Sequence, residues 1–488
     1  MGRPDLAIRN VRILDGTGAP FVEGDVEVSG GRVTAIGSAA AAEREVDGAG
    51  RVLAPGFVDV HTHDDGAVLT HPDMHFKLSQ GVTSVVVGNC GFSAIPEGMG
   101  SASGLFEGLG SGFADLDAYA AAVEAACPAL NVATQIGHNS MRYAAMGNEK
   151  RPPVREELEQ MRGWVAQAME QGAIGLSSGL VYQPGRYSQT EELIALAEVV
   201  APFGGLYNTH MRNEGARLLD AVAETIRIGA EAGVGVNISH HKAAGRANWG
   251  KVVESLAKVD AANDAGADIS LDVYPYIAGS GPMYQYFDLE RVDLELAAAI
   301  RLASCPAFPD YEGRHLTDLA AETGETLDQL VVRIITAPLG KRTICIQFLM
   351  TEDDVVANLR HPLVMVGSDG IPDLDGRPHP RLWGTFPRVL GHYVRDQGVL
   401  GLEDAVRRMT SMSADRFGLA RRGRIAEGAW ADLVLFDAAT VRDEATWDDP
   451  QLPSAGIDLV VVNGAVALDH GERRGPGTGR FLRYRRGG

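Results

Sequence analysis

The sequence is most informative at residues 57–63, Phe57-Val58-Asp59-Val60-His61-Thr62-His63, where a short apolar run ends in two histidines. The run has the length and composition of a buried strand, which we predict over Phe57–Val60. Alternate residues of an extended chain point to the same side, so the side chains of His61 and His63 can face one way. This stretch therefore predicts a buried strand whose end presents a pair of imidazoles.

The same arrangement recurs along the middle of the chain, where short apolar runs alternate with segments of helical periodicity such as 155–171, 191–201 and 216–232. Strand and helix repeated about eight times predict an α/β fold with a parallel (β/α)8 barrel of the TIM type. The predicted strands are Phe57–Val60, Ser84–Gly88, Val132–Ile136, Ala173–Leu176, Leu206–Asn208, Val234–Ser239, Ala267–Asp272 and Leu363–Val366.

The two ends of the chain have a different texture, with short alternating runs separated by glycine-rich turns and an Asn463-Gly464 hairpin signal. We predict a small β-sheet domain of the sandwich type from residues 1–54 and 423–488, with the barrel at 55–422. The interval before the last barrel strand is too long for a simple crossover, and we predict a lid-like insertion at about 278–342.

The composition of the chain disfavours several classes of binding partner. The chain has 488 residues and a net charge of −20 at pH 7, which disfavours nucleic acids and anionic membrane surfaces as partners and leaves a small-molecule substrate. We find no apolar leader segment and no run long enough to cross a bilayer. The four cysteines are widely separated, as in reduced proteins, so we expect a cytoplasmic location. The oligomeric state is left open.

Polar residues at the predicted strand ends suggest a metal centre, because the C-terminal face of such a barrel carries the site. Each residue taken alone could be structural, but together they combine imidazole, thiolate and carboxylate donors, a set suited to zinc. The thiolate argues against magnesium and calcium, which prefer oxygen ligands. The predicted metal-site residues are His61, His63, Cys90, His210, His240 and Asp369.

Several motifs resemble those of a known family. Leu53-Ala54-Pro55-Gly56-Phe57 through His63 resembles the opening signature of the amidohydrolase superfamily, and the chain as a whole resembles its N-acyl-D-amino-acid deacylases, or D-aminoacylases. The further matching segments are Gly88-Asn89-Cys90-Gly91, Thr209-His210-Met211-Arg212-Asn213-Glu214, Ile238-Ser239-His240-His241-Lys242, Asp272-Val273-Tyr274-Pro275-Tyr276 and Gly367-Ser368-Asp369-Gly370.

The resemblance implies how the metal is held. Cys90, His210 and His240 match the family's tight zinc ligands. His61 and His63 match a second, weaker metal position that Cys90 bridges. Asp369 matches the catalytic aspartate. Many members of the superfamily bridge two metals with a modified lysine on the fourth strand, and this strand has none.

The resemblance also implies substrate contacts. Lys242, Tyr274 and Ser280 match a clamp on the substrate carboxylate, although Lys242 could also be a surface lysine. Tyr182 matches a tyrosine near the scissile carbonyl, although it could also be a core residue. His241 is ambiguous, because it neighbours His240 but points to the other side of its strand, and we favour a packing or surface role for it.

These features predict zinc-dependent hydrolysis of N-acyl-D-amino acids, releasing a carboxylate and a free D-amino acid. One alternative is a cyclic-amide hydrolase of the hydantoinase or dihydroorotase type, and another is a non-catalytic structural homologue. The family divides between neutral and acidic D-side chains. Arg377 or Arg381 could meet an acidic one, but we favour neutral substrates.

Overall fold

The structure is a computed structural model that describes residues 3–99, 105 and 109–485. Strands and helices are numbered in chain order. Strands from both ends of the chain form one nine-stranded sheet in the order β21-β20-β19-β18-β5-β1-β2-β3, with β4 beside β1. These strands are β1 (Leu6–Ile13), β2 (Val22–Ser29), β3 (Arg32–Ile36), β4 (Arg44–Asp47), β5 (Val52–Pro55), β18 (Leu433–Phe436), β19 (Ile457–Val462), β20 (Ala465–Asp469) and β21 (Glu472–Arg473).

The two halves of this sheet meet where β5 pairs with β18 in antiparallel register. Asn463 and Gly464 have positive φ values of 51° and 85° and form the tight turn between β19 and β20, as this dipeptide predicts. Side chains alternate across β18, so that Leu433 packs in the core of the sheet domain and Val434 packs in the barrel core. The domain boundaries at 54/55 and 422/423 stay predictions.

The predicted (β/α)8 barrel is confirmed, and every predicted strand overlaps an observed one. The barrel strands are β6 (Phe57–Asp59), β7 (Val82–Val87), β8 (Asn131–Thr134) with β9 (Ile136–Gly137), β10 (Gly175–Gly179), β11 (Leu206–His210), β12 (Gly235–Ile238), β13 (Ile269–Val273) and β17 (Val364–Val366). The first and last strands close the ring through a parallel bridge between Thr62 and Gly370.

Strand β10 differs most from its predicted bounds, because its second half is polar. Ser177 and Ser178 are fully buried, and the Ser178 hydroxyl lies 2.7 Å from the Tyr207 hydroxyl on β11. These serines are buried through hydrogen bonds instead of apolar contacts, so a prediction based on apolar runs ends the strand before them.

The helices lie mostly between the strands. Helix bounds are α1 (Ala67–Thr70), α2 (His75–Leu78), α3 (Leu116–Ala126), α4 (His138–Met146), α5 (Arg155–Gln171), α6 (Thr190–Val200), α7 (Leu218–Ala232), α8 (Lys251–Asp264), α9 (Leu294–Ala298), α10 (Leu316–Thr323), α11 (Leu327–Thr336), α12 (Glu352–Arg360), α13 (Arg381–Arg388), α14 (Leu402–Met409) and α15 (Ser411–Arg416). Helices α5, α6 and α7 match the predicted helical segments. Within the described residues, none of these helices combines the length and apolarity needed to span a membrane.

The insertion before the last barrel strand is a small layer with its own core. Strands β14 (Gly279–Pro282), β15 (Ile300–Ser304) and β16 (Ile344–Gln347) form an antiparallel sheet in the order β14-β16-β15. Helices α10 and α11 pack on it through an apolar cluster that includes Leu302, Leu316 and Leu330. Strand β16 lies beyond the predicted end at Arg342, so the inserted layer is longer than the sequence indicated.

Candidate metal centre

Barrel strands deliver the predicted metal-site residues to one rim. His210 ends strand β11, and His240 follows β12 by two residues. Cys90 and Asp369 each lie three residues beyond their strands, β7 and β17. All are buried, so the rim groups lie inside the mouth of the barrel.

The side chains converge around the Cys90 sulfur. Cys90 Sγ lies 3.3 Å from His61 Nε2 and 3.3 Å from His240 Nε2. Asp369 Oδ1 lies 3.5 Å from His61 Nε2 and 3.2 Å from His63 Nε2. The donor atoms of His61, Cys90, His240 and Asp369 all lie within 4.8 Å of one another. The structure therefore brings these predicted residues into one cluster.

His210 belongs to a second, overlapping group. Its donor atom and those of Glu214 and His240 lie within 4.8 Å of one another. His240 is common to both groups, so the two form one continuous set of donors.

The backbone that holds the donors is strained. Cys90, His240 and Asp369 have φ values of 54°, 36° and 49°, in the left-handed region that non-glycine residues rarely adopt. Gly91 beside Cys90 also has a positive φ, and a Cβ there would clash with Asn139 Oδ1. Strain of this kind accumulates at functional sites, where the surrounding structure holds the residue in place.

The charges of the cluster favour a bound cation. Burial would raise the pKa of the Cys90 thiol, but His61 and His240 hold that pKa well below its ordinary value. Burial likewise opposes ionisation of Asp369, and Arg381 and His240 hold its pKa well below the usual range. A thiolate, a carboxylate and imidazoles at these distances are the donors that zinc prefers. The donor set thus fits zinc.

Two of the imidazoles carry unused polar atoms. Nδ1 of His63 and Nδ1 of His210 are buried and have no hydrogen-bond partner in the described part of the chain. Burial lowers the pKa of each, but carboxylate and thiolate neighbours outweigh it and raise both pKa values to about 9. The carboxylate and thiolate charges that raise these pKa values would also attract a cation.

Sequence reasoning did not single out Asp272, which positions two of the histidines. Asp272 Oδ1 lies 3.1 Å from His61 Nδ1 and accepts a hydrogen bond of 2.8 Å from the His240 backbone nitrogen. Carboxylates commonly orient ligating imidazoles in this way. A buried aspartate on strand β13, inside a quoted motif, was the available signal.

Glu214 was also missed as a site residue. Its Oε2 lies 3.4 Å from His210 Nε2, and its Oε1 lies 3.1 Å from His240 Nδ1. Burial would raise the pKa of Glu214, but His210, Lys242 and His240 lower it well below the ordinary value. Its place four residues after His210, at the end of the Thr209–Glu214 segment that resembles the family, was the signal in the sequence.

Arg381, a possible contact for an acidic substrate side chain in the sequence analysis, pairs with Asp369 of the donor cluster. It is fully buried, and its Nη2 lies 3.0 Å from Asp369 Oδ2. Its guanidinium carbon lies 4.4 Å from the centre of the Tyr274 ring. Arg377 is exposed and bonds to the Asp448 carbonyl oxygen. Neither arginine lines the cavity described next.

A cavity of about 180 Å³ opens beside the cluster, and all four predicted substrate-binding residues line it: Tyr182, Lys242, Tyr274 and Ser280. Lys242 is 9% exposed and its Nζ lies 2.7 Å from Glu214 Oε1, which excludes the solvated surface role. The Tyr182 ring centre lies 4.8 Å from that of His210. His210 and Asp369 also line this cavity, so it reaches the donor cluster.

His241 packs in the interior, which is one of the two roles expected from the sequence. It is fully buried, and its ring nitrogens bond Asn358 Oδ1 at 2.6 Å and Ser255 Oγ at 2.7 Å. Burial lowers its pKa to about 4.

Comparison with known proteins agrees with this geometry. The profile of the Amidohydrolase family matches residues 44–309 and 317–468. The chain belongs to the amidohydrolase family. This amidohydrolase is 44% identical over 469 residues to an N-acyl-D-glutamate deacylase of Alcaligenes xylosoxydans xylosoxydans, covering 95% of this chain and 93% of that protein. It is also 44% identical over 487 residues to a D-aminoacylase of the same organism, covering 98% and 97% of the two chains.

Solved structures of other amidohydrolases are also similar to this chain. A crystal structure of N-acyl-D-glutamate deacylase from Bordetella bronchiseptica, complexed with zinc and a phosphonate inhibitor, matches with a TM-score of 0.92 and 42% identity over 99% of this chain and 100% of that one. An L-hydantoinase from Arthrobacter aurescens matches at a TM-score of 0.60 and 17% identity over 98% and 100% of the chains, which concerns the fold alone. The family resemblance read from the motifs is confirmed.

Proposed function

We propose that this amidohydrolase cleaves the amide bond of N-acyl-D-amino acids in a zinc-dependent reaction, releasing a carboxylate and a free D-amino acid. One observation carries the proposal. The donor atoms of His61, Cys90, His240 and Asp369 lie within 4.8 Å of one another, beside a cavity that contains the cation of Lys242. A metal centre next to a fixed positive charge suits an amide substrate that bears a carboxylate.

The residues divide between two metal positions. Cys90, His210 and His240 would hold the tight zinc, and His61 and His63 would hold the weaker one. The Cys90 sulfur is 3.3 Å from His61 Nε2 and 3.3 Å from His240 Nε2, which supports a role for Cys90 at both positions. Zinc bound by these donors would polarise the acyl carbonyl and make a water molecule more acidic.

Asp369 moves the proton. Arg381 holds its Oδ2 at 3.0 Å, which keeps the carboxylate ionised and turns Oδ1 toward His63. Asp369 accepts a proton from the attacking water and then passes it to the leaving amine nitrogen as the carbon–nitrogen bond breaks.

Tyr182 is placed to donate a hydrogen bond to the acyl carbonyl. Burial raises the pKa of its hydroxyl well above the ordinary value, and Tyr286 adds to the shift, so Tyr182 remains a neutral donor. Its hydroxyl lies 3.1 Å from that of Tyr286, which limits the orientations it can take.

Lys242, Tyr274 and Ser280 bind the α-carboxylate of the substrate. Lys242 Nζ is 5.5 Å from the Tyr274 ring centre, and the buried Tyr274 hydroxyl has no hydrogen-bond partner in the part of the chain that the structure describes. A carboxylate would give this hydroxyl an acceptor and Lys242 a second anion, and it would thereby orient the scissile bond.

The test is a panel of N-acetyl-D- and N-acetyl-L-amino acids with a hydantoin included, assayed on zinc-loaded protein by release of the free amine or opening of the ring. We expect hydrolysis of N-acetyl-D-amino acids alone. Opening of the hydantoin without amide hydrolysis would favour the cyclic-amide alternative. Zinc-replete protein without any turnover would favour the non-catalytic homologue.

We also propose a cytoplasmic location. All four cysteines are free, and Cys90 must stay a reduced thiolate to bind zinc. Fractionation of the source cells, with the enzyme traced by antibody, checks this.

A further inference from the structure

One wall of the substrate cavity comes from the inserted layer and the segment that follows it. Tyr286, Leu296, Gln347, Leu349 and Met350 line this wall, which faces the metal centre. Three of the five are aliphatic or thioether side chains, and Met350 is buried beside Tyr274 and Tyr276. The ends of the barrel strands thus carry the metal-site residues, and the insertion carries the wall that a substrate side chain would contact.

The charges around the cavity are unfavourable for an anionic side chain. Among the described residues that line it, Lys242 is the only lysine or arginine, and it lies 2.7 Å from Glu214 Oε1. Glu214 and Asp369 add two carboxylates elsewhere in the cavity lining, paired with Lys242 and with Arg381 respectively. Arg381, which stacks on Tyr274, does not line the cavity and is paired with Asp369. A second carboxylate on the substrate would therefore be buried without a free cation among the described lining residues, a state that costs far more than burial of an apolar group.

The relatives do not show whether the preferred substrate side chain is neutral or acidic, because an N-acyl-D-glutamate deacylase and a D-aminoacylase are both 44% identical to this chain. We infer that the wall formed by Tyr286, Leu296, Gln347, Leu349 and Met350 selects N-acyl-D-amino acids with neutral, apolar side chains and rejects D-glutamate and D-aspartate. The inference rests on the proposed deacylase function and adds the substrate class.

Leu296 is the best residue with which to change this selectivity. It lies in the five-residue helix α9, whose N-terminus is capped by Asp293, and its side chain is half-buried between the insertion core and the cavity. A longer side chain can enter the cavity from there without disturbing the barrel. The neighbouring Ala297 is fully buried and is a poor choice, because any larger residue would disrupt the core of the insertion.

The first measurement is kcat/KM of the zinc-loaded wild-type enzyme on N-acetyl-D-methionine, N-acetyl-D-glutamine and N-acetyl-D-glutamate. The three side chains have similar lengths, so the series separates polarity from charge. We expect the methionine substrate to exceed the glutamate substrate by at least about 100-fold, with glutamine between them.

The second measurement compares Leu296→Arg with the uncharged control Leu296→Gln. We expect Leu296→Arg to raise kcat/KM on N-acetyl-D-glutamate by about 10-fold or more and to lower it on N-acetyl-D-methionine. Leu296→Gln should not raise the glutamate-to-glutamine ratio. Zinc content and melting temperature of both variants should match the wild type.

The outcomes separate this inference from the proposed function. Equal kcat/KM of the wild type on the methionine and glutamate substrates overturns the inference and leaves the deacylase function standing. Absence of turnover on all three substrates in zinc-replete protein overturns both. A folded, zinc-loaded Leu296→Arg enzyme without any gain on glutamate shows that Leu296 does not face the substrate side chain, which overturns its assignment.

Discussion

Replacing Asp369 with asparagine is the sharpest test of the mechanism. Asparagine keeps the size of the side chain, and its Oδ1 can still lie near His63, 3.2 Å away in the native protein. It cannot accept a proton, and it removes the negative charge 3.0 Å from Arg381 Nη2. Loss of a general base lowers kcat by roughly 10²–10⁴-fold, or about 3–5 kcal/mol of activation free energy. We expect the upper half of this range, because the nearest other acceptors, His61 and His63, are committed to the metal.

The assay measures zinc content and kcat for N-acetyl-D-methionine on the same preparation of Asp369→Asn. Tight zinc should remain, because Cys90, His210 and His240 still hold it. Asp448→Asn, whose side chain is 90% exposed at the same end of the barrel, is the matched control and should keep the wild-type kcat. An Asn variant that loses zinc and recovers with excess zinc would make Asp369 only a ligand. A zinc-replete variant with normal turnover would refute both roles.

Four further substitutions test the other parts of the site. Cys90→Ala should lose most bound zinc and all activity, whereas His61→Asn should lose less zinc. Metal analysis of the two variants measures this difference, and equal zinc loss would contradict the ranking of the tight and weaker metal positions. Lys242→Met should raise KM by at least about 10-fold for N-acyl-D-amino acids but hardly at all for their carboxamide analogues, because the α-carboxylate loses a charged partner. Arg381→Met should raise the pKa of Asp369. Because the ionised carboxylate is the active form, the acid limb of the kcat/KM profile should move to higher pH by about 1–3 units. An unchanged acid limb would show that Arg381 does not control the ionisation of Asp369.

Much of this protein is determined locally. The strand ends carrying His61, Cys90, His210, His240 and Asp369 are recognisable because buried parallel strands read as short apolar runs, and the chain leaves the barrel at their C-terminal ends. The hairpin at residues 463–464 follows from the preference of Asn-Gly for positive φ. Residue type and order along the chain were therefore sufficient for the fold class and for the predicted donors, but Glu214, which the structure adds to them, was missed.

The support of the site depends on contacts between distant segments. Arg381 reaches Asp369, Asp272 reaches both His61 and His240, and no local pattern marks these pairs. The second half of β10 was not predicted, because it contains polar residues such as Ser177, whose hydrogen-bond partner Gly88 is distant in the sequence.

The residues of the cavity wall could not be predicted from the sequence. Leu296 has no distinguishing local pattern, and its place in the cavity depends on how the inserted layer packs on the barrel. Local sequence determines which side chains a strand presents. Only the closed barrel and the layer packed on it determine which of those side chains meet, because distances and burial arise from contacts between residues far apart in the chain.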